Sequence, residues 1–402
     1  MSASSDTIPV PGPIAAPRLL AVAAILVLIG LAGVVYLAVA GGPQFALWAA
    51  VLQGAMVPAW IGIGALAFLS VHAVCGARWT VPLRRIMEGM TSGLWLTLLA
   101  IAVIAAFGLP HLYEWANMTG DDREALFVHP QGTKSQWLTA GRWSGSCIGA
   151  VTMWLLLRSF WVRQSRLQNA GIDTRPGEVR LGVITLMVVA LTFTLFTWDS
   201  LLTLEVKANS SIWGMYCLAG AVQSFLALLA LLLCWLARGP LKGIIRPHLT
   251  HDLGTWIIAF SCVWAYLGMC QYVIQYFANL TEETYFWQPR LQGGWSELYV
   301  IAALLRFPLP FLMLLSQRVR ADGRVQALAG VCILAGAWLD LTWMVQPAFS
   351  AQALPTLIPA LMVGAGFVGG MLILMLQFWR RHGLVPQGDP RYRPAVLGEH
   401  LH

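Results

Sequence analysis

Ten apolar runs follow one another along this chain, each close to or above the ~20 residues that carry a helix across about 30 Å of hydrocarbon. They lie at 18–41, 45–75, 85–110, 141–164, 180–203, 211–237, 253–278, 295–316, 324–345 and 355–380. In lipid every backbone N–H and C=O must find a partner within the protein, so a single apolar run has to become a helix. The expected fold class is an all-α polytopic membrane protein of about ten transmembrane helices. Only 11% of residues are charged and 58% are hydrophobic, against about 25% charged in a soluble domain. The polar stretches run to roughly 20–30 residues and are too short for a separate core. One transmembrane domain, 18–380, is expected between two tails, 1–17 and 381–402. The run at 19–40 exceeds the apolar core of a signal peptide and reads as an uncleaved first span. Span 2 is expected to tilt or break near Pro58.

Charge sets the orientation. Arg78, Arg84 and Arg85 follow span 2, and Arg163, Arg166, Arg175 and Arg180 follow span 4. Arg238, Lys242 and Arg246 follow span 6, Arg318, Arg320 and Arg324 follow span 8, and Arg380, Arg381, Arg391 and Arg393 close the chain. The opposite loops hold Arg123, Lys134, Arg142, Lys207 and Arg290. With Arg18, eighteen of the 25 Lys and Arg fall on one side, the cytoplasmic one by the positive-inside rule, and both termini join them there. The basic balance is topological and implies no nucleic acid. The outer loop 111–140, with "GDDREALFVHPQGTKSQW", suits a periplasmic partner or a plain solvated loop.

The apolar runs are not free of charge. Asp199 and Asp340 lie toward the outer ends of spans 5 and 9, Glu297 opens span 8, and Arg306 sits near its middle. A charge at the bilayer centre costs about 2.5–3.5 kcal/mol on the gentlest scale, so such groups turn inward and pair. Two readings stand side by side. One is a structural ion pair of Arg306 with Asp340 or Asp199, and the other a proton path through a hydrated interior. Pro308 and Pro310 should break span 8 behind Arg306 and free carbonyls. Glu205 falls past the end of span 5 and is expected in solvent. Span 7 carries Ser261, Tyr266, Gln271, Tyr272, Gln275 and Tyr276, with His251 and Asp252 at its cytoplasmic mouth. That ladder reads as interhelical hydrogen bonding or as support for a water wire.

The seven cysteines form no CxxC pair and read as small core residues. Of the eight histidines only His72 falls clearly within a run, so no pair is available to ligate an intramembrane haem. No cofactor, catalytic residue or metal is expected in this chain. An internal echo links "VPLRRIMEGM" after span 2 to "GPLKGIIRPH" after span 6, each placing a Pro-Leu-basic turn at the same exit. Spans 2–5 and 6–9 would then form two four-helix units related by an axis along the membrane normal.

"HDLG" at 251–254, "VWAYLGMCQYVIQYFANLTEET" at 263–284, "PFLMLLSQRVR" at 310–320 and "WLDLTWMVQP" at 338–347 resemble the F subunit of bacterial alternative complex III. "ARWTVPLRRIMEGM" at 77–90 fits the same pattern. That subunit belongs to the NrfD-like family, with the polysulfide-reductase membrane subunit. The resemblance implies ten spans in two four-helix bundles within the bacterial inner membrane. It implies a redox-silent subunit of a quinol:electron-acceptor oxidoreductase that scaffolds the complex and contributes a proton path. Implied partners are a sister NrfD-like C subunit, an iron–sulfur B subunit, multihaem A and monohaem E cytochrome c subunits, a small membrane-anchored D subunit, lipids, and in some assemblies a haem–copper oxidase. Haem c, iron–sulfur clusters and quinol then belong to the complex, not to this chain. Two departures stand out. Relatives read approximately "DWLMSLEPHW" where this chain has "DSLLTLEVKA" at 199–208, keeping Asp199 and Glu205. Where relatives place His, this chain has Arg306, a permanent cation opposed to a free proton at that spot. Outside the resemblance, a quinol-binding subunit and a stand-alone secondary transporter are the alternatives.

Overall fold

The computed structural model describes residues 8, 11–12, 16–39, 44–118, 133–279, 284 and 286–399. Most of the acidic stretch in the large outer loop, 119–132, lies outside them. Among the described residues ten helices are long and apolar enough to cross a membrane. They are span 1 (Pro17–Val39), span 2 (Gln44–Val74), span 3 (Val81–Leu112), span 4 (Ala140–Asn169), span 5 (Arg175–Leu204), span 6 (Trp213–Leu236), span 7 (Pro247–Ala278), span 8 (Trp295–Leu314), span 9 (Gly323–Ala348) and span 10 (Leu354–His382). The protein is an all-α polytopic membrane protein.

Packing resolves these into two four-helix bundles. Span 2 packs on spans 3 and 5, and span 4 closes the ring against 3 and 5; span 6 packs on 7 and 9, and span 8 closes that ring. The first helices of the bundles, spans 2 and 6, lie against each other and are the most deeply buried. Span 5 touches span 6 and span 9 touches span 2, so each bundle's last helix reaches the other's first. This reciprocity is what a two-fold relation between 2–5 and 6–9 requires. Spans 1 and 10 form a pair of their own, laid on span 2. Gly30 and Gly366 meet there: a Cβ on Gly30 would stand 2.4 Å from the Gly366 Cα. Without a hydrophobic force between helices in lipid, such close backbone approach supplies the packing. The outward faces carry Leu28, Leu99, Leu191 and Leu354, all exposed, as suits helices whose solvent is hydrocarbon.

Three expectations need correction. Span 2 is one helix through Pro58, because the chain behind the proline is held all round by neighbouring helices. Span 3 begins at Val81 rather than 85, which draws Arg84, Arg85 and Glu88 into the buried interior. The C-terminal segment is no free tail: Leu384, Val385, Tyr392, Ala395 and Val396 are buried. Gly388 N–H donates to Asn169 at 2.9 Å, and His248 Nε2 lies 3.1 Å from the Ala395 carbonyl. Gly12 N–H donates to the Pro240 carbonyl. The N-terminal segment, the loops after spans 4 and 6 and the C-terminal segment therefore share one face, the arginine-rich one.

Candidate functional site: two buried acid–guanidinium centres

Each bundle holds one buried aspartate on its fourth helix, paired with an arginine from its third. In the second bundle the centre is built around the break in span 8. Helix Trp295–Arg306 stops, Phe307 turns the chain, and a new helix starts at Pro308. Pro310 has no N–H to offer the Arg306 carbonyl, four residues back. Gln223 of span 6 supplies the missing donor, with Nε2 2.7 Å from that oxygen. The same amide accepts from Arg306 Nε at 2.9 Å through Oε1 and donates to Ser261 Oγ at 2.9 Å. Arg306 Nη1 donates to Asp340 Oδ2, and Tyr216 OH donates to Asp340 Oδ1 at 2.8 Å. The guanidinium also lies 4.1 Å over the Trp264 ring. Gly220 and Gly336 make room for it: a Cβ on Gly336 would come within 2.7 Å of Arg306 Cγ. Arg306 and Asp340 are each 1% exposed. A charged pair so deep persists only with this many satisfied bonds.

In the first bundle Asp199 is equally buried, but its partner is Arg142 at the start of span 4, not Arg306. Asp199 Oδ1 accepts from Arg142 Nη2 and from Trp137 Nε1 at 3.3 Å, and Oδ2 accepts from Ser146 Oγ at 2.7 Å. All three of these groups donate to the carboxylate. A cavity of about 520 Å³ adjoins it, walled by Lys134, Trp137, Asn209, Ser210 and Ser211. Lys134 Nζ holds the Ala208 carbonyl at 2.9 Å and Asn209 Oδ1 at 3.1 Å. Burial lowers this lysine from 10.5 to about 8.

The remaining expected residues divide. Glu297 is exposed and accepts from the neighbouring Ser296 Oγ at 2.9 Å, because it occupies the solvent side of the first turn of span 8. Glu205 is not in solvent; it is buried and paired with Arg290. Arg290 also donates to the carbonyls of Phe286, Trp343 and Met344, so it ties the outer loop to the end of span 9. Burial pushes the Glu205 carboxyl above its ordinary value and Arg290 below its own, against their mutual attraction. The span 7 ladder splits by helical face. Ser261, Gln271 and Gln275 turn inward, Gln271 accepting from Ser210 at 3.1 Å and Gln275 from Trp287 at 2.5 Å. Tyr266, Tyr272 and Tyr276 turn outward, the last two stacked at 5.8 Å. His251 and Asp252 stay at the rim, 3.5 Å apart, and the buried Leu253 and Ile257 separate them from Ser261.

Sequence reasoning overlooked a third cluster at the arginine-rich face. Arg84 Nε donates to Glu88 at 3.0 Å, and its Nη1 donates to Gln168 at 2.5 Å and to Glu178. Arg391 of the C-terminal segment donates to the other Glu178 oxygen at 3.1 Å. Arg158, in mid-span 4, donates to Thr91 and Ser92. It also overlooked Gln53, which bonds Thr342 at 2.6 Å and Gln346 at 3.0 Å and so joins span 2 to span 9. The available signals were Glu88 and Arg158 inside apolar runs, and a glutamine in the first helix of each repeat. The chain matches no protein-family model and no curated protein.

Proposed function

We propose that this chain is the F-type, NrfD-like membrane subunit of an alternative complex III. In this reading it sits in the bacterial inner membrane with both termini cytoplasmic, scaffolds a quinol:electron-acceptor oxidoreductase, and conducts protons without a redox centre of its own. Electron transfer then belongs to the sister C subunit with its quinol, the iron–sulfur B subunit and the haem c subunits A and E, with the D subunit beside them. The carrying observation is the buried Asp340–Arg306 pair with Tyr216, Gln223 and Ser261 about it, a string of proton-bearing groups in otherwise apolar packing. The Asp199 centre, beside its cavity, gives the first bundle a matching acid. Intramembrane ionisable residues are rare and mark functional sites by default, proton relays among them.

Two experiments test this. Purification of the native membrane complex is expected to bring down multihaem and iron–sulfur subunits; a lone monomer refutes the assignment. Tyr216→Phe keeps the ring and the ion pair but removes the hydroxyl. In proteoliposomes it is expected to lower the ratio of protons moved per electron. An unchanged ratio at full quinol oxidation leaves the Asp340 centre a structural clamp.

A second reading, quinol binding by this chain, draws on a cavity of about 410 Å³ at spans 7, 8 and 9. Trp264, Tyr272, Trp287, Tyr299 and Trp343 line it. Protection of these aromatics by a quinone analogue favours that reading over a purely scaffolding one.

A further inference from the structure

Beside the buried cluster at the arginine-rich face lies a cavity of about 100 Å³. His72, Thr80, Arg84, Arg175, Glu178 and Arg391 line it. Arg84 is 6% exposed. Its Nε and Nη1 are spent on Glu88, Gln168 and Glu178, but its Nη2 has no partner. A buried cationic donor left unmade costs more than the ~1–3 kcal/mol of a neutral one. The neighbouring Arg85, 2% exposed, makes no hydrogen bond through Nε or Nη1, although Nη1 stands 3.6 Å from Glu88 Oε2.

Glu178 does not absorb this surplus. One of its oxygens is taken by Arg84 Nη1 and the other by Arg391 Nη2. Arg391 is further held by Asp389 at 2.9 Å, and Glu88 already faces both Arg84 and Arg85. Arg84, Arg85, Arg158, Arg175 and Arg391 together outnumber Glu88, Glu178 and Asp389. Water would meet the orphan N–H but leave the charge. An oxyanion meets both, and guanidinium groups suit its geometry.

We propose that this cavity binds the oxygens of a phosphate group, with Arg84 at its base and Arg175 and Arg391 at its mouth. Arg391 comes from the C-terminal segment, so an occupied site would also fasten that segment to spans 3 and 5. The phosphate comes from one of two sources: the phosphodiester of an acidic phospholipid at that membrane face, or free inorganic phosphate. This inference is independent of the proton-path reading.

The test uses the full chain in its purified complex. Thermal unfolding is followed in nanodiscs of phosphatidylcholine, with and without phosphatidylglycerol, and separately with inorganic phosphate against chloride at equal ionic strength. The variants are the rim substitutions Arg175→Gln and Arg391→Gln, singly and together, because Arg84→Gln endangers folding. Stabilisation by phosphatidylglycerol alone identifies a lipid headgroup; stabilisation by inorganic phosphate as well identifies a free oxyanion site. In either case the double variant is expected to lose at least about tenfold in apparent affinity, since two charge-assisted contacts go. The proposal is overturned if neither probe stabilises the wild type, or if the double variant responds as strongly as the wild type.

Discussion

Replacing Asp340 by Asn probes the second-bundle centre most directly. Asn keeps the shape and one acceptor oxygen, so the change is chiefly one of charge. Two unit charges about 4 Å apart attract by about 4 kcal/mol at an effective dielectric of 20. Removing one member of a buried pair typically costs 3–5 kcal/mol, because the survivor stays charged and unpaired. Here the survivor is Arg306, 1% exposed, and a guanidinium cannot shed its proton. It would retain Gln223, the Gly220 carbonyl at 3.3 Å and the Trp264 ring. The expected loss for Asp340→Asn is therefore about 3–4 kcal/mol. The converse substitution, Arg306→Gln, is milder at about 2 kcal/mol, because a stranded carboxylate neutralises itself by taking up a proton. Tyr216 would still bond it. The double variant removes both charges and should lie within about 1 kcal/mol of Arg306→Gln, giving a coupling above about 2 kcal/mol. Equilibrium unfolding in mixed micelles measures all three. A loss under about 1 kcal/mol for Asp340→Asn, or a larger loss for Arg306→Gln than for Asp340→Asn, would refute the argument.

Gln223→Leu should cost about 2–4 kcal/mol in the same assay, since it strands both Arg306 Nε and the carbonyl that Pro310 leaves open. Gly366→Leu should separate spans 1 and 10, raising protease sensitivity of span 1 while leaving the two bundles folded; intact pairing would mean that the Gly30 contact is not needed. Lys134 holds its proton only to about pH 8 when folded but to about 10.5 when unfolded, so between those values the unfolded chain binds more protons and stability rises with pH. Amine acylation read by mass spectrometry should place its half-maximal reactivity near pH 8, and titration alongside ordinary lysines would contradict its burial.

The apolar runs settled the fold class and the span order, because a chain in lipid has one way to satisfy its backbone. They placed six of the ten spans within three residues at both ends; spans 3, 5 and 7 start four, five and six residues earlier than the runs, and span 4 ends five residues later. The misjudged start of span 3 came from reading Arg84 and Arg85 as loop charges by the positive-inside rule, which counts arginines without asking whether a carboxylate waits inside. Sequence also marked Arg306 and Asp340 as intramembrane charges that must turn inward. It could not choose between Asp340 and Asp199 as partner, since both lie toward the same end and the choice rests on which helices touch. Span 8 packs on span 9, which delivers Asp340; span 4 packs on span 5, which gives Asp199 to Arg142. Likewise Glu205 lies past a helix end in sequence, yet Arg290, 85 residues away, folds over it. Hydrophobicity is a property of each segment and can be read along the chain. Pairing of charges is a property of neighbours, and only helix packing decides who the neighbours are.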